Sequence, residues 1–299
     1  MTHINKLPKI ELFAPGHRAC AGCGPAIIMR HILKAAGKDV IVSHATGCME
    51  VASTPYPQTS WKVPWIHSAF ENAAAVASGI EAALRSQKKK TKVVIIGGDG
   101  STFDIGLQAL SGAAERGHDF CYICYDNGAY MNTGVQRSGA TPMYGATTTT
   151  PMGKKIHGKQ ENKKNMPLIL AAHRAYVATA NLAFPQDFYE KVKKGIEHKG
   201  PAYVQVFAPC PKGWGFASDM AIEIAKLAYQ TRVTPLYSIE DGYLTFTKKP
   251  ANPKHVEDYL KMMKRFKGIT SKEIMQIQQQ VDDEFKKLEK IEESKVQLY

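Results

Sequence analysis

Val93–Ile96 runs straight into Gly97-Gly98-Asp99-Gly100, and Phe120–Tyr125 (FCYICY) runs straight into Asp126-Asn127. Apolar runs this short do not make independent helices, and their Val, Ile, Phe and Tyr content favours strands. Neither run alternates with polar residues, so each reads as a strand buried on both faces, the habit of a parallel sheet. Between them Ile105–Arg116 has helical spacing and closes at Gly117. The same rhythm recurs along the chain. Helices are expected over Ala26–Ala36, Ser68–Ser86 and about 186–198, and strands over Asp39–Ser43, Tyr176–Ala180 and Ala202–Phe207. The expected fold class is therefore α/β, a parallel sheet with helices on both faces.

Residues 1–24 read as an irregular lead-in, and 53–67, with three prolines and two tryptophans, as a structured loop. The long Gly/Thr/Lys-rich stretch 133–166 is too long for an ordinary connection and reads as a functional loop. Beyond residue 234 the composition shifts to Lys, Glu and Gln. Thr270 and Glu273 form a capping-box pattern, with Ile269 placed to staple onto Ile274. Ile274, Ile277, Val281, Phe285, Leu288 and Ile291 then share one helical face. The expected organisation is a core over 1–234 and a helical extension over 235–299 that docks on that core or on a partner subunit.

The chain of 299 residues is long enough for a substantial core, and 44% apolar with 22% charged residues is ordinary for a water-exposed protein. No stretch approaches the ~18 apolar residues of a membrane span. The N-terminus has no apolar signal segment, so the expected compartment is the cytoplasm. Six cysteines there argue for ligands or core filler rather than disulfides. A net charge of +12 attracts acidic partners, but its lysines are scattered in pairs and triplets with no interleaved aromatics or nucleic-acid motif. No nucleic acid and no membrane are expected.

Two constellations carry chemistry. In the first, glycines at the end of a strand let the backbone approach phosphate oxygens, and Asp99 offers a hard anionic oxygen suited to Mg²⁺. Asn127, 28 residues on at the end of the next strand, adds an amide oxygen, which favours a metal–diphosphate site over a plain tight turn. In the second, Cys20-x-x-Cys23, Cys48 and the distant Cys210 supply four thiolates, enough for Zn²⁺ or a 4Fe–4S cluster. Structural zinc usually draws on two close pairs, so the scattered set suits a cluster somewhat better. Cys121 and Cys124 are three apart on a strand, point to opposite faces, and read as core thiols. His17, His31, His44 and His67 read as structural, with His44 beside the Cys48 turn able to tune it. Trp61 and Trp65 read as core, and Arg137 as solvated.

GDGSTFDIGLQAL, YDNGAYMNTGVQRSGATP, ATGCMEVASTPYPQTSW and HSAFENAAAVASG together resemble the β subunit of multisubunit pyruvate:ferredoxin oxidoreductases. GDG followed after 25–30 residues by Asn is similar to the thiamine diphosphate signature of that family. The resemblance spans about residues 15–235 and implies a thiamine diphosphate-binding fold. It implies that Asp99, the Asn127 side chain and the Ala129 carbonyl hold Mg²⁺, and that Gly98, Asp99, Gly100 and Ser101 contact the diphosphate. The segment Asn127, Gly128, Ala129, Tyr130, Met131 and Asn132 would wrap the cofactor, Cys48 would stand beside it, and Asn132 would serve catalysis near the thiazolium. It implies a 4Fe–4S cluster on Cys20, Cys23, Cys48 and Cys210. Where single-chain relatives carry an acidic residue after the CxxCG, this chain has Pro25, so that cofactor contact is not expected.

The implied reaction is oxidative decarboxylation of pyruvate with CoA to acetyl-CoA and CO₂, reversible, with electrons passing through the cluster to ferredoxin. An α subunit would supply the activating glutamate and the substrate-binding residues, and γ- and δ-type subunits would complete the complex. Two alternatives stand beside it: the same chemistry on a branched-chain or other 2-oxo acid, and a non-catalytic zinc-stabilised binding protein with an unrelated GDG turn.

Overall fold

The computed structural model describes residues 7–299; residues 1–6 of the expected lead-in lie outside the described residues. Eight strands make one sheet: β1 (Val40–Ala45), β2 (Trp65–Ser68), β3 (Lys92–Gly98), β4 (Phe120–Asp126), β5 (Tyr176–Asn181), β6 (Pro201–Phe207), β7 (Leu236–Glu240) and β8 (Tyr243–Lys248). Their order is β2-β1-β3-β4-β6-β5-β7-β8. The first six pair in parallel, with Gly98 opposite Tyr125 and Asp126 opposite Phe207.

The helices are α1 (Gly24–Ala36), α2 (Cys48–Ser53), α3 (Ala73–Ser86), α4 (Leu107–Glu115), α5 (Met166–Ala171), α6 (Pro185–Glu197), α7 (Pro211–Trp214), α8 (Ala221–Gln230), α9 (Val256–Leu260) and α10 (Ser271–Ser294). Alternate strand residues feed two cores, as the two-residue period of a strand requires. Val94, Ile96, Cys121 and Ile123 pack under α1 and α6. Val93, Ile95, Tyr122 and Cys124 pack under α3, α4 and α5. Cys121 and Cys124 thus sit in different cores, fully buried, as core thiols.

The α/β expectation holds, with local corrections. Ser68 ends β2, so α3 begins only at Ala73, and the 53–67 loop contributes that edge strand. The tail is not helical throughout. Leu236–Glu240 pairs antiparallel with β5, and Tyr243–Lys248 folds back on it across Asp241-Gly242, both at positive φ. An Asp-Gly pair with left-handed backbone is the two-residue turn that matches strand twist. The capping box at Thr270 and Glu273 forms, and α10 buries Ile277, Phe285 and Leu288 against its own chain. Together with α8, α9 and Trp214, α10 closes a third core over the loop side of the sheet.

Candidate active site

β1, β3, β4 and β6 lie side by side, parallel, so their carboxyl ends open at one edge of the sheet. That edge is where ligands enter open α/β sheets. The four strand ends lead into Thr46–Cys48, Asp99-Gly100, Asn127–Ala129 and Ala208–Cys210. One cavity there is lined by Cys48, Gly98, Asp99, Gly100, Asn127, Ala129, Tyr130, Met131 and Asn132. Thr46, Gly47, Phe70, Tyr125 and Thr133 complete its wall. Of the residues expected from sequence, Ser101 and Gly128 stand behind the wall. Ser101 opens a π-helical turn, Ser101–Ile105, closed by the Gly106 N–H to its carbonyl at 2.8 Å. Gly128 adopts φ +70°, a left-handed conformation that favours glycine, and turns its carbonyl away to Thr141 and Arg265.

At the cavity floor Asp99, the Asn127 carboxamide and the Ala129 carbonyl converge. With its amide oriented to satisfy its neighbours, Asn127 donates from Nδ2 to the Ala129 carbonyl at 2.9 Å and to Asp99 Oδ1 at 2.9 Å. Asp99 is buried; its Oδ2 accepts from Ser138 Oγ and its Oδ1 from the Asn127 N–H at 3.3 Å. Burial first, and then the charge of Asp126, push its carboxyl up to about 7. Such a group favours a cation partner.

The 133–166 loop braces this floor through residues the sequence reading did not single out. Ser138 holds Asp99, and Thr141 Oγ1 donates to the Gly128 carbonyl at 2.9 Å. Lys159, buried, donates to the carbonyls of Thr141 at 2.8 Å and Asn162 at 3.1 Å, and burial pulls its pKa down to about 8. Lys163 pairs with the buried Asp126, which also accepts from Gln205 at 2.8 Å. Tyr130 OH reaches Asp104 at 3.0 Å, and Asp104 also receives Lys164 at 2.8 Å. Long-range loop contacts of this kind leave no periodic trace in sequence.

The four expected cysteine ligands share one neighbourhood. The Cys23 thiol is raised to about 11 by burial, with Cys210 and Cys20 adding to the effect, and Cys48 to about 12 by burial and then Cys210, Cys23, Cys20 and Asp99. Cys210 is likewise raised, burial first, and its sulfur accepts from the Gly213 N–H at 3.3 Å. Among the described residues no three His, Cys, Asp or Glu side chains converge as a single metal ion requires. Cys48 belongs to both places, lining the cavity and facing the other thiols. The Cys210 turn also touches the cavity wall, since a Cβ on Gly213 would collide with Met131 Sδ.

His44 is fully buried, accepts from Trp65 Nε1 at 3.3 Å, and is driven down to about 3 by burial, so it stays neutral among Trp61, Trp65 and Tyr125. The two tryptophans stack at 5.9 Å as core. His31 packs on Phe188, and Arg137 pairs with exposed Glu161. His67 meets Thr46 Oγ1 at 2.5 Å at the cavity edge.

The fold and this strand-edge site define a class, thiamine pyrophosphate enzymes: the family model described as "Thiamine pyrophosphate enzyme, C-terminal TPP binding domain" matches residues 45–206. A pyruvate synthase subunit PorB from Methanocaldococcus jannaschii is 55% identical over 294 residues, covering 95% of this chain and 99% of its own. A ketoisovalerate oxidoreductase subunit VorB from Pyrococcus furiosus is 45% identical, covering 96% of this chain and 95% of its own. Among solved structures, the 2-oxoglutarate:ferredoxin oxidoreductase from Magnetococcus marinus, with 2-oxoglutarate, coenzyme A and succinyl-CoA bound, matches with a TM-score of 0.57. Its identity is 25%, over 74% of this chain and 82% of its own. The chain belongs to the PorB family of 2-oxoacid:ferredoxin oxidoreductase β subunits. Among the described residues no helix is long and apolar enough to cross a membrane.

Proposed function

We propose that this chain is the β subunit of a cytoplasmic pyruvate:ferredoxin oxidoreductase, converting pyruvate and CoA to acetyl-CoA and CO₂ in either direction. The observation that carries the site assignment is that Asp99, Asn127 and Ala129 converge on one strand-edge cavity together with Gly98, Gly100 and Asn132. Asp99, Asn127 and the Ala129 carbonyl hold Mg²⁺, Gly98, Asp99 and Gly100 face the diphosphate with Ser101 behind them, and Asn132 meets substrate. When bound, thiamine diphosphate supplies the electron sink that lets a 2-oxo acid lose CO₂. The chain's own residues do the positioning. Ser138 and the Asn127 N–H fix both carboxylate oxygens of Asp99, and Thr141 fixes the turn at Gly128.

Cys20, Cys23, Cys48 and Cys210 hold a 4Fe–4S cluster. A single Zn²⁺ at ~2.3 Å from each sulfur would draw the sulfurs to within about 4 Å of one another. Thiols that act on one another without converging on a point suit the larger cluster better. Among the described residues no glutamate lines the cavity, which fits an activating carboxylate supplied by an α subunit. γ- and δ-type subunits and ferredoxin then take the electrons. The VorB relative gives a second reading, the same reaction on a branched-chain 2-oxo acid.

The test is made on the complex purified without oxygen through a tag on this chain. Viologen reduction with CoA is measured on pyruvate, 2-oxoisovalerate, 2-oxoglutarate and indolepyruvate, beside iron, sulfide, zinc and thiamine content. Preferred turnover of pyruvate is the expected result. Preference for 2-oxoisovalerate selects the second reading, and zinc without thiamine or turnover would overturn both.

A further inference from the structure

Arg265 lies far along the chain from the GDG, Asn127 and cysteine motifs, yet its side chain ends behind the cofactor loop. It is 5% exposed, and its Nη2 donates to the Gly128 carbonyl at 3.0 Å. Its guanidinium lies 5.3 Å from the centre of the Trp214 ring and 5.7 Å from that of Phe266. Trp214 in turn donates from Nε1 to the Asn127 carbonyl at 2.7 Å and is the last residue of the short helix that Cys210 opens. One residue from the tail therefore touches both the metal–diphosphate loop and the turn carrying the fourth cysteine.

Its charge lacks a protein counterion. Arginine does not deprotonate in proteins, and a buried cation without a partner costs several kcal/mol. Among the described residues no carboxylate stands within ion-pair distance of it, and its Nε has no partner. The ionisable groups acting on it are Tyr259, Asp99, Cys210 and Asp126. Asp126 is engaged by Lys163 and Gln205, and Asp99 by Ser138 and the Asn127 N–H. Of the groups acting on it, Asp99 belongs to the cavity floor and Cys210 to the four-thiol site, the two places where the proposed bound groups would be anionic.

Resting on the function proposed above, we infer that Arg265 is a positioning residue whose fixed positive charge is shared by the two cofactor sites. It holds the 127–129 turn through Gly128, and it favours the reduced, more negative form of the cluster on the Cys210 turn. A cation near a cluster raises its reduction potential, because one-electron reduction adds negative charge that the cation stabilises. Shape and charge are separable here: the Gly128 contact needs only a donor, while the cluster effect needs the charge.

The experiment compares Arg265→Gln, which keeps a donor and loses the charge, with Arg265→Lys, which keeps the charge and loses the planar stack. Both are made in the anaerobic complex. Cluster potential is read by electron paramagnetic resonance during dithionite titration, and thiamine diphosphate affinity by quenching of tryptophan fluorescence in the presence of Mg²⁺. The Gln variant is expected to keep its iron and to shift the cluster at least tenfold toward the oxidised form, 59 mV for one electron. Its thiamine diphosphate affinity, which rests on the retained donor to Gly128, is expected to stay within threefold of wild type. The Lys variant is expected to stay within threefold of wild type in the cluster equilibrium. If Gln does not yield folded complex, Arg265→Met, apolar and of similar length, is read for the cluster potential alone, since it loses the donor as well as the charge. Equal shifts in Gln and Lys, or no shift in either, would overturn the inference while leaving the proposed function standing. A wild-type complex with neither cluster nor thiamine would instead overturn the function on which it rests.

Discussion

Asp99 is held under electrostatic stress, and Asp99→Asn makes that stress measurable. The carboxyl titrates near 7 rather than at its ordinary 3.8, because of burial first and the facing Asp126 second, against the pull of Ser138 and Lys163. At ~1.36 kcal/mol per decade of proton affinity, its ionised form carries roughly 4 kcal/mol of unfavourable free energy in the folded chain. The sign follows from which state binds the proton more tightly. Here the folded chain does, so the penalty is absent below pH 3.8, grows up to about 7, and is complete above it. Asparagine never ionises, so it escapes the penalty, but it accepts hydrogen bonds less strongly than a carboxylate. We therefore expect Asp99→Asn to stabilise chelator-stripped protein at pH 8 by roughly 1–3 kcal/mol, and by much less at pH 5. Adding Mg²⁺ and thiamine diphosphate should reverse the order, stabilising wild type and leaving the variant unchanged. Urea pulse proteolysis, followed on this chain within the complex at both pH values, reads the two midpoints. Equal midpoints at pH 8 in stripped protein, or a variant that still responds to Mg²⁺ and thiamine diphosphate, would refute the reasoning.

Cys210→Ala should lower iron and sulfide to less than half of wild type while thiamine diphosphate still binds, whereas Cys121→Ala should leave iron unchanged. Iron loss in the Cys121 variant would contradict the separation of the two cysteine sets. Phe285→Ala, which removes a ring 2% exposed and packed 5.1 Å from Phe246, should cost about 3–5 kcal/mol. A loss under about 1 kcal/mol in urea would mean that α10 does not depend on this contact.

The central strands were legible because their pattern is local. Val93–Ile96 and Phe120–Tyr125 are continuous apolar runs ending in residues that only a backbone turn or a ligand explains. The hard-acceptor pair Asp99 and Asn127 and the scattered cysteines announced themselves by residue type. The tail hairpin was equally written in the sequence, as Asp241-Gly242 between alternating residues, but a reading by charge content passes over it. The braces were not legible. Ser138, Thr141, Lys159 and Arg265 act through contacts spanning 13 to 137 positions along the chain, and no period records them. Arg265 stands beside Lys264 and is not set apart from it by sequence, although Met263 and Phe266 on either side belong to the third core.

Cys48 is a wall shared by two rooms. It lines the cavity while the other three thiols act on it electrostatically, so one side chain belongs to two neighbourhoods at once. A substitution that reshapes the pocket near it would also disturb the other three thiols. This side of the pocket is therefore poorly placed to evolve.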